Sequence, residues 1–341
     1  MRGAGKGSMA GITLGDGLKV ATKILASTSR PLLAHLVVTR YCNLECAYCF
    51  EYDKVSKPVP LADLLGRVDA LARLGTQIVT LTGGEPLSHP DHDAVVRRIR
   101  DHGMMATTIT NGFLLTAARI AGMNAAGLQE LQISIDGVKP DAISKKTLKS
   151  LAGKLRLLAR HAEFHVNINS VLGISEERTR DALEVAATAR SLGFSHTVGV
   201  LHDAEGTLAP LSATQRAVYD TLRRGRSVTH FINYMMFQKN LMAGKPNAWS
   251  CRAGARYLYV CEDGLVHYCS QQRGSPGIPL AEYGQADIVR EFNTPKACAP
   301  FCTVSCVHYV SYFDFWRAPQ TLRSGMPEQP ANPLVKIQTA K

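Results

Sequence analysis

The chain has few aromatic residues, 7% of 341 positions, and no unbroken run of eighteen apolar residues, so it offers no candidate transmembrane helix. Its first sixteen residues, Met1 to Asp16, are rich in glycine. They lack an apolar stretch followed by a cleavage site, which argues against a secretory signal and for a cytoplasmic protein. Dense basic blocks are also missing. The formal net charge of +11 favours anionic partners. The basic residues, however, are spread along helical stretches such as Lys145 to Arg160, where a solvated helix face accounts for them. No binding motif accompanies the charge, so no nucleic-acid partner is expected. With 45% hydrophobic residues the chain can fill one large α/β domain and a smaller one, and nothing reads as fibrous or wholly disordered.

Cysteine is present but unevenly placed. Three of the nine cysteines fall between residues 42 and 49, and six fall between 251 and 306. A disulfide scaffold would be denser and preceded by a signal, whereas clusters in a cytosolic chain point to metal.

Between these groups, short apolar runs alternate with helical patterns. Strands are expected at His35–Arg40, Gln77–Thr82, Met105–Thr110, Glu130–Ile135, His165–Leu172 and His196–Leu201, all rich in Val, Ile and Thr. Helices are expected at Leu61–Leu74, Pro90–Arg100, Ala117–Ala126, Thr147–His161 and Glu176–Leu192. Gly75, Gly103, Gly127 and Gly193 stand where C-terminal caps belong. Six strand–helix units imply a parallel sheet with its chemistry at the carboxyl ends of the strands. The expected fold is α/β, a partial (β/α)6 TIM-like barrel with a small Cys-rich C-terminal domain. The expected divisions are an extension (1–34), the barrel (35–205), a helical bridge (206–249), the Cys-rich domain (250–310) and a tail (311–341).

Cys42-Asn-Leu-Glu-Cys46-Ala-Tyr-Cys49 directly follows the first strand. Three thiolates from one tight loop can hold three irons of a cubane cluster and leave the fourth iron open, as a substrate-binding cluster requires. A zinc site would want a fourth ligand, and the next histidine is only His89. A thioredoxin-like pair would leave Cys42 idle, and buried free thiols are the third alternative. With this spacing, and with the aromatic Tyr48 before the last cysteine, the sequence resembles the radical SAM superfamily over about residues 35 to 205.

That resemblance implies a 4Fe–4S cluster on Cys42, Cys46 and Cys49 whose open iron binds S-adenosylmethionine (SAM). One electron then cleaves the sulfonium to methionine and a 5′-deoxyadenosyl radical. The protein positions and shields this chemistry. A flavodoxin- or ferredoxin-type electron donor is implied as well. Thr82-Gly83-Gly84-Glu85-Pro86 follows the second strand, and the resemblance assigns it to the SAM amino group through main-chain carbonyls and the Glu85 side chain. A plain turn is the alternative. Thr110-Asn111-Gly112, Ser134-Ile-Asp136-Gly137 and Asn167-Ile-Asn169-Ser170 place polar side chains at later strand ends, where burial demands partners. By resemblance Ser134 and Asn169 serve the ribose and carboxylate region. Asn111 and Asp136 are further candidates, Asp136 with a turn-capping alternative.

In the second cysteine group, seventeen residues separate Cys251 from Cys269, with a hairpin turn at Glu262-Asp263-Gly264 between them. Cys298, Cys302 and Cys306 follow, three residues apart. This resembles the SPASM and twitch extensions of the superfamily, although those favour Cys-x-x-Cys pairs. An auxiliary 4Fe–4S cluster is implied on Cys251, Cys269, Cys302 and Cys306, with Cys298 as the alternate. Structural zinc or free thiols remain open. Pro300 argues against the three late cysteines lying on one helix, and Cys261 reads as a small buried hydrophobe.

The expected substrate is a small molecule or lipid-like compound, with a peptide, as for SPASM-type maturases, as the alternative. The sequence before Cys42 offers little room for a peptide-recognition region. The weakly amphipathic Gly15–Ser27 leaves peripheral membrane contact open beside a plain surface helix. A non-catalytic iron–sulfur sensor is the reading from another class. His202, Asp203, His267, His308, Tyr309, Tyr312, Asp314, Trp316 and Arg317 stand near the motifs without an assigned catalytic role.

Overall fold

The computed structural model describes residues 27–49, 51–173, 175–176, 178–200, 210–223 and 234–317. His202, Asp203, most of the 1–34 extension, parts of the 206–249 bridge and residues 318–341 lie outside the described residues.

Six parallel strands form first: β1 (Leu33–Thr39), β2 (Ile78–Gly83), β3 (Met105–Thr110), β4 (Glu130–Ser134), β5 (His165–Leu172) and β6 (Ser195–Val200). The connecting helices are α1 (Leu61–Arg73), α2 (His92–Asp101), α3 (Ala117–Ala126), α4 (Leu148–His161) and α5 (Asp181–Ser191). The period-two pattern of the strands decides their faces. Ala34, Leu36, Val79, Leu81, Leu131 and Ile133 point to the helices and join one core with Leu64, Leu71, Ile99 and Leu155. The other face carries polar side chains. Thr80 and Thr107 share a hydrogen bond of 2.7 Å across β2 and β3. Ser134, Asn169 and Thr197 stand in register across β4, β5 and β6. This is the pattern of a barrel wall with an apolar outside against helices and a polar lumen.

The expected glycines do cap helices. Gly75, Gly103, Gly127 and Gly193 all have positive φ, between 72° and 82°. The helix expected from Glu176 starts later, at Asp181, because the preceding residues form turns and Arg178 reaches back to Asp141. The bridge contributes α6 (Ala213–Arg223), a π-helical turn at Tyr234–Gln238 and the short α7 (Lys239–Met242). No helix among the described residues is long and apolar enough to cross a membrane.

The cysteine-rich segment continues the same sheet. β7 (Tyr257–Val260) lies parallel to β1, with Leu33 opposite Tyr257 and Leu36 opposite Val260. β8 (Leu265–His267) and β9 (Pro276–Pro279) follow antiparallel. The strand order is β6-β5-β4-β3-β2-β1-β7-β8-β9, an open sheet of nine strands. α8 (Gln285–Asn293) and α9 (Ser305–Tyr312) complete the segment. The tail expected from residue 311 begins no earlier than the end of a buried anchor. Arg256 and Asp314, both fully enclosed as side chains, form a two-pronged ion pair of 2.7 and 3.0 Å. Arg256 also donates to the Arg30 carbonyl at 3.1 Å, which fastens both ends of the described chain to the start of β7.

Removing one partner of such a pair leaves a buried uncompensated charge. Asp314→Ala is expected to lower unfolding free energy by about 3–5 kcal/mol, measured by urea denaturation of the purified chain.

Candidate active site

The site is built where β1 and β2 end. Gly84 N donates to the Thr39 carbonyl at 2.9 Å, and Glu85 N donates to the Tyr41 carbonyl at 2.8 Å. A Cβ at Gly83 would lie 2.1 Å from the Thr39 oxygen, and one at Gly84 would lie 2.3 and 2.4 Å from the Arg40 and Tyr41 oxygens. The absent side chains are thus explained by the chain leading into the first cysteine loop, which runs in backbone contact with them. Gly83 also has φ +128°, a conformation closed to most residues.

Glu85 is completely buried. Its Oε1 accepts from Leu87 N at 2.9 Å and from the Thr110 hydroxyl at 2.6 Å, and its Oε2 accepts from Asn111 N at 2.8 Å. Burial pushes the carboxyl above its usual range, against the pull of these donors. The carboxylate therefore links the ends of β2 and β3. Asn111 carries the link onward, donating from Nδ2 to Asn43 Oδ1 at 2.8 Å and facing Cys42 Sγ at 3.7 Å.

The three loop cysteines form no disulfide, and Cys42 and Cys46 are buried. Leu44 N also donates to Cys42 Sγ, at 3.4 Å. Cys46 Sγ lies 3.8 Å from the Ser144 hydroxyl. Burial raises the Cys42 thiol and pushes Cys49 up to about 12. Such thiols pair donors aimed at sulfur with little solvent, which suits thiolates neutralised by a metal cluster. Two cations brace the loop. Lys54 donates to the Cys42 and Leu44 carbonyls at 2.9 and 3.1 Å. Lys146 donates to the Tyr48 hydroxyl at 2.6 Å and lies 3.3 Å from Asp136.

Asp136 is the hub on that side. Its Oδ2 accepts from Tyr48 OH at 2.6 Å and from the Ser144 hydroxyl at 2.7 Å. Burial pulls the Lys146 ammonium down, but Asp136 and Tyr48 more than offset this and hold it well above the ordinary lysine range. Lys146 is missing from the sequence-based candidates. It is the second residue of the basic stretch 145–160, and only its closeness to Asp136 in sequence sets it apart from solvated lysines. Farther along the wall, Asn169 Oδ1 accepts from the Thr197 hydroxyl at 2.8 Å. The Asn169 amide nitrogen and the Ser134 hydroxyl have no hydrogen-bond partner among the described residues.

The second cysteine group gathers around the entry to β7. Trp249 Nε1 donates to the Ala299 carbonyl at 2.6 Å and Asn247 N donates to Pro300 at 2.8 Å, which lays the 298–302 turn against the approach to Cys251. Gln271 Nε2 donates to the Thr303 hydroxyl at 3.2 Å, which joins the Cys269 loop to the same turn. The Cys302 thiol, raised well above its usual range chiefly by burial, also feels Cys251, Cys269 and Cys298. Cys306 is the second residue of α9. Burial pushes its thiol up to about 11, and the charges acting on it are Glu130 and Glu51. Cys251, Cys269 and Cys302 are buried in one cluster, against which the partly buried Cys306 also packs, while the Cys251, Cys269 and Cys302 thiols each feel Cys298. Pro300 does break the helix, since Ala299–Phe301 is a single 3-10 turn, but Cys306 is helical. Glu51, two residues beyond Cys49, accepts from the Tyr259 hydroxyl of β7 at 3.2 Å and so bridges the two groups.

Ligand atoms of Cys261, Asp263 and His267 lie within 4.8 Å of one another. His267 Nδ1, however, accepts a hydrogen bond from Gly274 N at 2.8 Å, so its proton sits on Nε2, the atom a cation would need. Cys261 is fully buried in the second core, as a small hydrophobe would be. His308 is sandwiched by Phe237 and Trp249, with ring centroids at 4.2 and 5.0 Å, and is a core residue. Asp314 serves the Arg256 anchor, and Trp316 is 63% exposed.

A family model described as the radical SAM superfamily matches residues 36–203. The AdoMet-dependent heme synthase of Methanosarcina barkeri is 32% identical over 181 residues, 50% of this chain and 50% of that protein. GTP 3′,8-cyclase 1 of Mycobacterium tuberculosis is 31% identical over 173 residues, 46% of this chain and 48% of that one. The chain therefore spans about half the length of the curated relatives it matches. Among solved structures, SuiB of Streptococcus suis aligns with a TM-score of 0.58 at 16% identity, over 94% of this chain and 81% of that one. The fold of an open, mostly parallel α/β barrel is shared along that whole length.

Gly84→Ala forces a methyl group onto two carbonyl oxygens and is expected to cost about 1–3 kcal/mol. Gly66→Ala, on α1 with nothing within 4 Å of the new Cβ, is expected to stabilise by about 0.4–1 kcal/mol. Paired urea unfolding curves check both signs.

Proposed function

We propose that this chain, which carries a radical SAM domain over residues 36–203 and is an enzyme of that superfamily, cleaves S-adenosylmethionine reductively and turns the resulting 5′-deoxyadenosyl radical on an organic substrate in the barrel lumen. The observation that carries this reading is the Cys42–Cys49 loop. It holds three undisulfided thiols between two lysines, with N–H donors of Leu44 and Asn111 aimed at one sulfur. A 4Fe–4S cluster, when bound by Cys42, Cys46 and Cys49, supplies the electron for sulfonium cleavage.

The chain's own residues bind and orient. Main-chain carbonyls of Gly83 and Gly84 meet the SAM ammonium. Glu85, whose oxygens already accept from three protein donors, holds that segment in place. The unengaged Ser134 hydroxyl and Asn169 amide serve the carboxylate and ribose. Asn111 and Asp136 fix the loop from its two sides, Asn111 through Asn43 and Asp136 through the hydroxyl of Tyr48.

An auxiliary 4Fe–4S cluster is assigned to Cys251, Cys269, Cys298 and Cys302. The turn contacts of Ala299 and Pro300 and the influence of Cys298 on the other three thiols support this set, with Cys306, which packs against the same cluster, as the alternate. It exchanges Cys298 for Cys306 relative to the first choice from sequence. A structural zinc site would use the same four thiols, and iron analysis separates the two.

For the substrate, the hydroxyls and amides on the inner face of the open sheet, Thr80, Thr107, Ser134 and Asn169, support a small molecule within the small-molecule or lipid-like class. A peptide is the second reading, favoured by the likeness to SuiB over nearly the whole chain and by the structure of that protein with its precursor peptide SuiA.

Anaerobic reconstitution followed by iron and sulfide analysis tests these assignments. About eight irons per chain are expected for the wild type and about four for the triple alanine variant of Cys42, Cys46 and Cys49. Cys298→Ala is expected to lose the auxiliary irons, and Cys306→Ala to keep them. 5′-Deoxyadenosine should form with dithionite and SAM only where the first cluster is present. Full iron loading with no SAM cleavage across candidate substrates would overturn the catalytic reading in favour of a non-catalytic iron–sulfur protein.

A further inference from the structure

The loop sulfurs are not served alike. Leu44 N and Asn111 Nδ2 face Cys42 Sγ at 3.4 and 3.7 Å. Cys46 Sγ has one polar side-chain neighbour among the described residues, the Ser144 hydroxyl at 3.8 Å. Ser144 stands 98 positions farther along the chain and is 1% exposed, which closes it to water. Its segment is pressed onto the cysteine loop, since Ala47 N donates to the Ile143 carbonyl at 3.0 Å.

A hydroxyl has one proton to give and two lone pairs. The Ser144 oxygen accepts from Lys146 N at 3.1 Å and donates to Asp136 Oδ2 at 2.7 Å. A lone pair is left for Cys46. That suits a free thiol, whose S–H can donate. It does not suit a sulfur bonded to iron, which carries no proton and only accepts. Two acceptors would then face each other in a buried place, at a cost. Turning the one proton from Asp136 to the sulfur removes that cost, and Asp136 can release it. Its Oδ2 keeps the Tyr48 hydroxyl at 2.6 Å and the Lys146 ammonium at 3.3 Å.

We propose that Ser144 is a positioning residue for the first cluster: with iron bound, its hydroxyl donates to the Cys46 sulfur, and Lys146 makes this possible by holding the Asp136 charge in its place. The proposal rests on the cluster assignment made above. A donor on a ligand sulfur stabilises the more negative, reduced cluster and so raises its reduction potential. Ser144 thereby sets how readily the cluster takes up the one electron that SAM cleavage needs.

The test is an equilibrium redox titration of the reconstituted holoenzyme, read by the electron paramagnetic resonance of the reduced first cluster, which SAM addition distinguishes from the second. Ser144→Ala is expected to lower the reduction equilibrium constant about tenfold, which is ~59 mV for one electron. Ser144→Thr, which keeps the hydroxyl, should stay close to the wild type. Lys146→Met is expected to lower the constant too, and by less in the Ser144→Ala background than alone, because part of its effect passes through Ser144. Ser170→Ala removes a buried hydroxyl bonded to His196 at 2.7 Å on the helix-facing side of β5 and should change nothing. An unchanged potential in Ser144→Ala, or an equal loss in Ser170→Ala, would overturn the hydrogen bond. Should Ser144→Ala take up no iron, Lys146→Met carries the test, and an unchanged potential there overturns the proposal. Fully additive losses would reduce Lys146 to a bare charge and overturn its action through Ser144. A wild type that takes up no cluster at Cys42, Cys46 and Cys49 would sink the cluster assignment itself, whereas a loaded wild type indifferent to Ser144 sinks only this proposal.

Discussion

Everything at the reactive end of this sheet depends on two backbones running in contact. The turn at Gly83 and Gly84 presses on the carbonyls of Thr39, Arg40 and Tyr41 so closely that no side chain fits between them. That contact aims the chain after β1 into the cysteine loop, and it places Glu85 where its carboxylate can gather the ends of β2 and β3. The next donor in line, Asn111, faces Cys42. A strand-end contact between main chains thus becomes, through one carboxylate and one amide, the position of the Cys42 sulfur.

Electrostatics shapes the rest of the site. Three thiolates and their carboxylate neighbours would be costly to bury unpaired. The fold answers with a cation on each side, Lys54 on the carbonyls around Cys42 and Lys146 within the Tyr48–Asp136 pair. Neither lysine is aimed at solvent alone. Both are fixed by hydrogen bonds to loop atoms, so their charge is present before any ligand arrives, the arrangement expected of a preorganised site. Across the lumen, Glu51 and Tyr259 tie this loop to the strand that bears the second cysteine group.

Local periodicity made much of this legible. β3, β5 and α3 fall at the residues where alternation and helical spacing place them, because their apolar faces have only one core to meet. The motif cysteines, Glu85 and Asp136 were legible for a different reason: spacing, polarity and resemblance single them out from their neighbours. What stayed hidden depends on contacts between distant parts of the chain. Nothing in Tyr257–Val260 announces that it pairs with β1 and makes the cysteine-rich segment part of the main sheet. Spacing alone does not choose between Cys298 and Cys306, since any choice depends on how the 299–300 turn, held by Trp249 and Asn247, lies against the approach to Cys251. Lys146 looked like its solvated neighbours because the partner that buries it, Tyr48, lies almost a hundred residues earlier.

The pairing of β7 with β1 has a consequence for how the chain is made. β1 precedes β7 in the chain, and one of its edges finds β2 within a few dozen residues. Its other edge waits for a strand roughly two hundred residues later. Until β7 is made, the nascent barrel therefore presents an open, apolar strand edge beside the first cysteine loop, a template for wrong pairing. Protection of that edge is in this sense a problem of timing, set by how long β1 waits for β7.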